Sequence, residues 1–158
     1  MLLRALIAFL ALPGVVAFLV PVLIASRFVL HFSILGAASF ILGVTILLWC
    51  TVSFYVSGKG TLAPWSPPRH LVKVGLYRFS RNPMYVGVLL ILLGWSLLFR
   101  SPVLGWYAMA IAIVFHVRVV LGEEPWLART YGAEWQAYSG AVPRWLIRLP
   151  WWGHRRGA

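Results

Sequence analysis

Apolar residues run through this chain in long unbroken blocks, without the alternation of a half-buried strand or the stripe of a surface helix. Blocks at 5–25, 34–56, 83–99 and 102 to about 122 lie between Arg4, Arg27, Lys59, Arg81 and Arg100. A helix needs about 20 apolar residues to cross the hydrocarbon of a bilayer. The pattern therefore predicts about four transmembrane helices, with five as the upper bound and the third one short. Pro13-Gly14 and Pro21 interrupt the first block and predict a kink there. The uncharged run 5–26 is longer than the apolar core of a signal peptide and reads as a retained span. Arg100-Ser101-Pro102 leaves room only for a tight turn, so the third and fourth blocks form an antiparallel hairpin. Pro125 has no amide hydrogen for the Leu121 carbonyl and disfavours helix at Glu124, which predicts an end or bend at 122–124. Arg118 interrupts the fourth block near its end, within snorkelling reach of the interface.

Between the second and third blocks, 57–82 carries Gly58, Gly60, Pro64, Pro67, Pro68 and Gly75, and is expected to be irregular. After the fourth block, Trp126, Tyr131, Trp135 and Tyr138 suggest amphipathic helical turns at headgroup level. The predicted fold is all-α: a polytopic membrane helix bundle with C-terminal amphipathic helices on the cytoplasmic side. It forms one membrane domain over 1–158, with two N-terminal spans in 1–57 and a core at 69–145. With the N-terminus in the cytoplasm, the inner regions hold Arg4, Lys59, Arg69, Lys73, Arg78, Arg81 and the C-terminal arginines. The outer turns hold only Arg27 and Arg100. That asymmetry satisfies the positive-inside rule, with both termini and the motifs below facing the cytoplasm of an inner or cell membrane.

Composition agrees. Of 158 residues, 61% are hydrophobic and 11% charged, against about 25% charged in a soluble domain. The net charge of +11 sits at the ends of apolar blocks, which suits anionic lipid headgroups and argues against nucleic acid. Cys50 is the single cysteine, so no intrachain disulfide forms. The four histidines have no metal-ligand spacing, and no metal is expected.

Charge scarcity singles out one region. The only acidic residues are Glu123, Glu124 and Glu134, and carboxylates at the end of an apolar run need a cation, a ligand or water. His116 lies seven residues before Glu123, on the same stripe of an unbroken helix. At the start of the third block, Arg81-Asn82-Pro83-Met84-Tyr85 combines a favoured N-cap with a favoured first helical residue. Its free amides and positive dipole end attract a carboxylate or phosphate, and Gly87 permits close approach of a neighbouring helix. Each element also has a purely structural reading: a capped membrane helix, and glutamates paired with Arg78, Arg81 or Arg118. Together they make a cytosol-facing site with cation and amides on one wall and carboxylates on the other. S-adenosylmethionine fits such a site, and so does a nucleotide.

From Arg69-His70-Leu71-Val72 through Gly75-Leu76-Tyr77 and Arg81–Gly87, the ordered motifs resemble the isoprenylcysteine carboxyl methyltransferases and related phospholipid N-methyltransferases. The resemblance continues through Glu123-Glu124-Pro125-Trp126-Leu127, Tyr131-Gly132, Tyr138 and Val142-Pro143, covering about 69–145. It implies S-adenosyl-L-methionine bound on the cytosolic side. By the same resemblance Val72, Tyr77, Asn82, Pro83, Met84, Tyr85, His116 and Glu123 line the cofactor pocket; His70, Leu71 and Arg81 are placed in it by their own chemistry, and Glu124 joins it by supporting Glu123 or pairing with an arginine. Asn82 stands where the eukaryotic enzymes have His, which removes any acid–base role there. Val119 occupies the place of an arginine that binds the substrate carboxylate, and the neighbouring Arg118 is assigned to substrate binding.

The implied activity is methyl transfer to a lipid or lipidated acceptor, either isoprenylcysteine carboxylate-like O-methylation or phospholipid amine N-methylation. A carboxylate acceptor is ionised at neutral pH and needs no general base, so no catalytic residue is assigned. An amine must first lose a proton. Two other readings stand beside this one. The Tyr131–Pro143 tail is similar to that of sterol reductases, which use NADPH, and the glutamates of a non-enzymatic membrane scaffold would only anchor arginines.

Overall fold

The computed structural model describes residues 10–58 and 71–145. Within them every regular element is helical. Helix α1 is π-helical over Leu10–Leu19 and passes into α-helix at Val20–Ala25. Helix α2 spans Ile34–Gly58, α3 Pro83–Leu98 and α4 Pro102–Arg118. A π turn at Val119–Glu123 joins α4 to α5, Glu124–Tyr131, and α6 covers Ala133–Ala141. A 3-10 turn, Gly75–Arg78, precedes α3.

Among the described residues two stretches, Ile34–Ser53 and Pro102–Tyr131, are long and apolar enough to cross a membrane. Pro83–Leu98 is apolar but shorter; its 16 residues rise about 24 Å. Burial follows an inside-out pattern. Val103, Trp106, Met109, Ile113, Val117 and Leu121 are all exposed, three or four residues apart along one face of α4. An apolar stripe of that extent is not left to water. The interior is a seam of Ala17, Leu47, Val88, Ile91 and Leu92.

Close packing of α2 on α3 depends on small residues. A Cβ at Gly43 would lie 2.6 Å from the Gly87 carbonyl oxygen, and one at Gly94 would lie 2.7 Å from Cβ of Phe40. Gly87 thus does what its place in the sequence suggests. The α3–α4 hairpin also forms as expected, with Arg100 at φ 45° in the turn and Ser101 Oγ accepting from Leu104 N at 3.4 Å.

The first helix accommodates its prolines through register. Pro21 has no N–H to offer either the α-spaced carbonyl of Ala17 or the π-spaced carbonyl of Val16. Trp95 Nε1 donates to the Ala17 oxygen at 3.0 Å and the Tyr107 hydroxyl to the Val16 oxygen at 3.0 Å. Both orphaned acceptors are therefore satisfied from α3 and α4, as an apolar environment demands.

Three expectations need correction. The fourth helix does not end at 122–124: Glu124 N–H donates to the Val119 carbonyl five residues back, and helix continues to Tyr131 as a stretch of 30 residues. Widening one turn to π register absorbs the missing Pro125 amide without a break. Part of the irregular segment is ordered into the 3-10 turn; 59–70 lie outside the described residues. In the tail, Trp135 and Tyr138 are buried against protein; only Trp126 and Tyr131 remain available at the surface.

Candidate functional site

The site assembles where the first turn of α3 meets the π turn. Tyr85, on that first turn, donates its hydroxyl to Glu123 Oε1. Arg118 Nε donates to the same oxygen at 2.8 Å. In π register positions five apart stand over one another, which brings Arg118 onto Glu123. Glu123 is one-third exposed, and no donor among the described residues reaches Oε2.

Glu124, the next residue, is held quite differently. Arg144 grips it with two bonds of 2.7 Å, Nε to Oε1 and Nη2 to Oε2, and Arg81 Nη1 adds a third at 2.9 Å. Such bidentate, charge-assisted pairing is the strong geometry for arginine and carboxylate. The carboxylate holds the Arg144 guanidinium above its ordinary value. Arg81 also lies 5.6 Å over the Trp135 ring, and its Nε is buried with no hydrogen-bond partner among the described residues.

Around this clamp the C-terminal segment is strapped to the entrance of α3. Arg81 N donates to Pro143 O at 2.9 Å, Asn82 Nδ2 to Arg144 O at 3.1 Å and Ser80 Oγ to Arg144 O at 3.3 Å. Asn82 occupies the N-cap position but its side chain makes no cap bond; the amide is used on the strap instead. The strap delivers Trp145 onto the site, its ring centroid 6.1 Å from His116 and 6.4 Å from Tyr85. Phe115 packs on the other side of Tyr85 at 4.4 Å. Tyr85, the partner of Glu123, thus packs with rings from two other parts of the chain.

The remaining sequence-assigned positions distribute as follows. Pro83 is buried at the helix start, and Met84 packs against both apolar clusters. Val72 and Tyr77 are buried beside Cys50, while Leu71 is half-buried. The Tyr77 carbonyl accepts from the Tyr138 hydroxyl at 2.7 Å. His116 is exposed and meets the site through Trp145. His70 lies outside the described residues. Ser80, Arg144 and Trp145 went unassigned in the sequence; the signal that could have found Arg144 is its place directly after Val142-Pro143. Among the described residues no group of three or more His, Cys, Asp or Glu is placed to hold a metal ion.

An all-helical chain with membrane-length apolar helices and a polar, arginine-rich site at one end of them defines an integral membrane protein. The family model for phospholipid methyltransferase matches residues 31–134, more than half of the chain, and the protein belongs to that family. It is therefore a membrane methyltransferase. The matched range includes Arg81–Tyr85 and Glu123-Glu124 but leaves out Arg144 and Trp145. No curated protein and no solved structure matches the chain. Membership favours the methyltransferase reading of the sequence over the reductase and scaffold readings.

Proposed function

We propose that the protein transfers a methyl group from S-adenosyl-L-methionine to a lipophilic acceptor, using the Glu123 site. The observation that carries this reading is the meeting of Tyr85 with Glu123, because it joins the two sequence elements expected to form one site. The residues fit the cofactor. Glu123 presents an oxygen open to ribose hydroxyls or an ammonium, Tyr85, Trp145 and His116 offer faces to a purine or a sulfonium, and Arg118 beside them is the cation for an acceptor's carboxylate or phosphate. When bound, S-adenosylmethionine supplies a methyl group activated on sulfur. Val72, Tyr77 and Met84 shape the floor, and His70, Leu71, Asn82 and Pro83 complete the lining in this reading.

The division of labour between the glutamates is part of the proposal. Glu124 is a positioning residue that holds Arg81 and Arg144, and through them the strap carrying Trp145. Glu123 touches the cofactor. Methyl transfer is an in-line displacement, so alignment and exclusion of water supply much of the acceleration. A carboxylate acceptor needs nothing more. An amine acceptor must shed a proton, and with Glu124 engaged by two arginines the proton acceptors on hand are Glu123 and His116. Four spans with cytoplasmic termini, the acceptor entering sideways from the bilayer, complete the arrangement.

Calorimetry on detergent-solubilised protein tests the cofactor. S-adenosylhomocysteine should bind and NADPH should not; binding of NADPH alone would overturn the reading. Incubation with radiolabelled methyl donor and a lipid extract then identifies the acceptor from the labelled product.

A further inference from the structure

At the end of α3 away from Glu123 lies a groove of about 460 Å³, lined by Arg100, Ser33, Ser96 and Ser101 with Phe32 and Leu97 at its rim. The methyltransferase reading does not use it. Arg100 is exposed and forms no ion pair among the described residues. Nor can an acidic side chain of this chain serve it. All three are engaged near the other end: Glu123 with Arg118, Glu124 with Arg81 and Arg144, and Glu134 with Lys73. The neighbouring cation of this end, Arg27, is in the same position. No acidic side chain of this chain is left to pair with Arg100, so its counter-charge is open to a ligand.

The groove is equipped for an anion. Ser101 is 1% exposed; its oxygen accepts from Leu104 N, and its hydrogen finds no acceptor among the described residues. Ser33 likewise accepts from Gly36 N at 3.2 Å. These serines begin α4 and α2, whose positive ends meet the carboxyl end of α3 at this space, so Arg100 and the two hydroxyls carry the attraction. The rim decides which anion. Phe32 is 79% exposed, and the lipid-facing stripe of α4 begins directly alongside with Val103 and Trp106. A free inorganic anion gains nothing from those surfaces, whereas a phospholipid places its phosphodiester by Arg100 and its acyl chains along the stripe. At that depth the phosphodiester is also the most abundant anion.

We propose that this groove binds the phosphodiester of a phospholipid in the leaflet facing away from Glu123, with Arg100 as its counter-charge and Ser33 and Ser101 as hydroxyl donors. This lipid is a resident ligand, distinct from any acceptor at the Glu123 site.

Native mass spectrometry of the delipidated protein in detergent, titrated with phosphatidylcholine, tests this; the zwitterionic lipid removes general charge attraction. Wild type should retain a phospholipid that diacylglycerol of the same chains does not replace and inorganic phosphate does not displace. Arg100→Gln should weaken that one binding event by about tenfold, the loss of one charge-assisted contact, and Arg129→Gln should leave it unchanged. Arg100→Gly guards against misfolding, because glycine suits the φ of 45° at this position. It should unfold in lipid-free detergent no earlier than wild type yet show the same weakened binding. Undiminished binding in Arg100→Gly overturns the proposal, and displacement by inorganic phosphate reassigns the groove to a soluble anion and overturns it equally. Lipid held at the Glu123 site is blind to Arg100, so loss of either reading leaves the other standing.

Discussion

Tyr85 and Glu123, 38 residues apart in the chain, are joined by a hydrogen bond from the phenol to one carboxylate oxygen. The bond ties the start of α3 to the π turn and leaves the second oxygen of Glu123 without a donor among the described residues. Arg118 holds the same oxygen from the α4 side, so the carboxylate is fixed in orientation before any ligand arrives.

Glu123→Gln should therefore abolish most ligand-induced stabilisation while leaving the ligand-free protein nearly as stable as wild type. An amide in place of a carboxylate forfeits a charge-assisted bond, about 10–100-fold in affinity. Tyr85→Phe keeps the Arg118 contact and should weaken binding by only about tenfold. Thermal unfolding with and without S-adenosylhomocysteine reads both. Equal shifts in wild type and Glu123→Gln would remove Glu123 from the site.

The Glu124 clamp predicts the opposite signature. Its side chain is 16% exposed and that of Arg81 14%, against 49% and 45% for Glu134 and Lys73. Glu124→Gln strands two guanidiniums and should lower stability by about 2 kcal/mol, with or without ligand. Glu134→Gln breaks only an exposed pair and should change stability by less than about 1 kcal/mol. Denaturant or thermal unfolding in detergent separates the two, and added salt should erase only the smaller effect.

Why the two glutamates were visible in the sequence and the strap that Glu124 holds was not has a physical basis. With three acids in the chain, any carboxylate beside an apolar run stands out. Pro83 and Pro102 mark helix starts because proline fits the first helical turn, and α2, α3 and α4 begin where the sequence places them. Pro125 is a weaker guide. A missing amide can end a helix, bend it or widen one turn, and the choice depends on partners distant in sequence. Here those partners are Arg81 and Arg144, which hold Glu124 against the entrance of α3. Trp145 owes its place to four contacts between the strap and Ser80–Asn82, and no local periodicity foretells such contacts.

Alkaline pH should loosen the elements around the Glu124 clamp through Tyr138 and Tyr77. Burial pushes both phenols above their ordinary value of 10.0, with the Arg81 charge opposing the shift at Tyr138. In the unfolded chain each ionises near 10, while the folded protein keeps them neutral. Protons are then bound more tightly in the folded state, so stability is intact below pH 10 and falls as pH rises beyond it. Tyr138→Phe should flatten that decline and, at neutral pH, lower stability by about 1 kcal/mol through loss of the bond to the Tyr77 carbonyl. Unfolding temperature measured between pH 8 and 11 gives the slope; an unchanged slope in the variant would exclude Tyr138 as a contributor.

The α2–α3 seam yields the sharpest contrast between two chemically identical substitutions. At Gly43 a methyl group would press on the Gly87 carbonyl oxygen at 2.6 Å and on Ile91 N at 2.7 Å. Both are backbone atoms of α3, unable to turn aside as a side chain can, so the helices must separate. Gly43→Ala should destabilise by about 1–3 kcal/mol, the range for overpacking, and because α3 carries Tyr85 it should also weaken ligand binding. At Gly140, inside α6, nothing lies within 4 Å of the added methyl, and alanine's better helix propensity should raise stability by about 0.5–1 kcal/mol. Paired unfolding curves in the same detergent settle both signs. A neutral Gly43→Ala would mean that α2 and α3 sit farther apart than the packing around Gly87 requires.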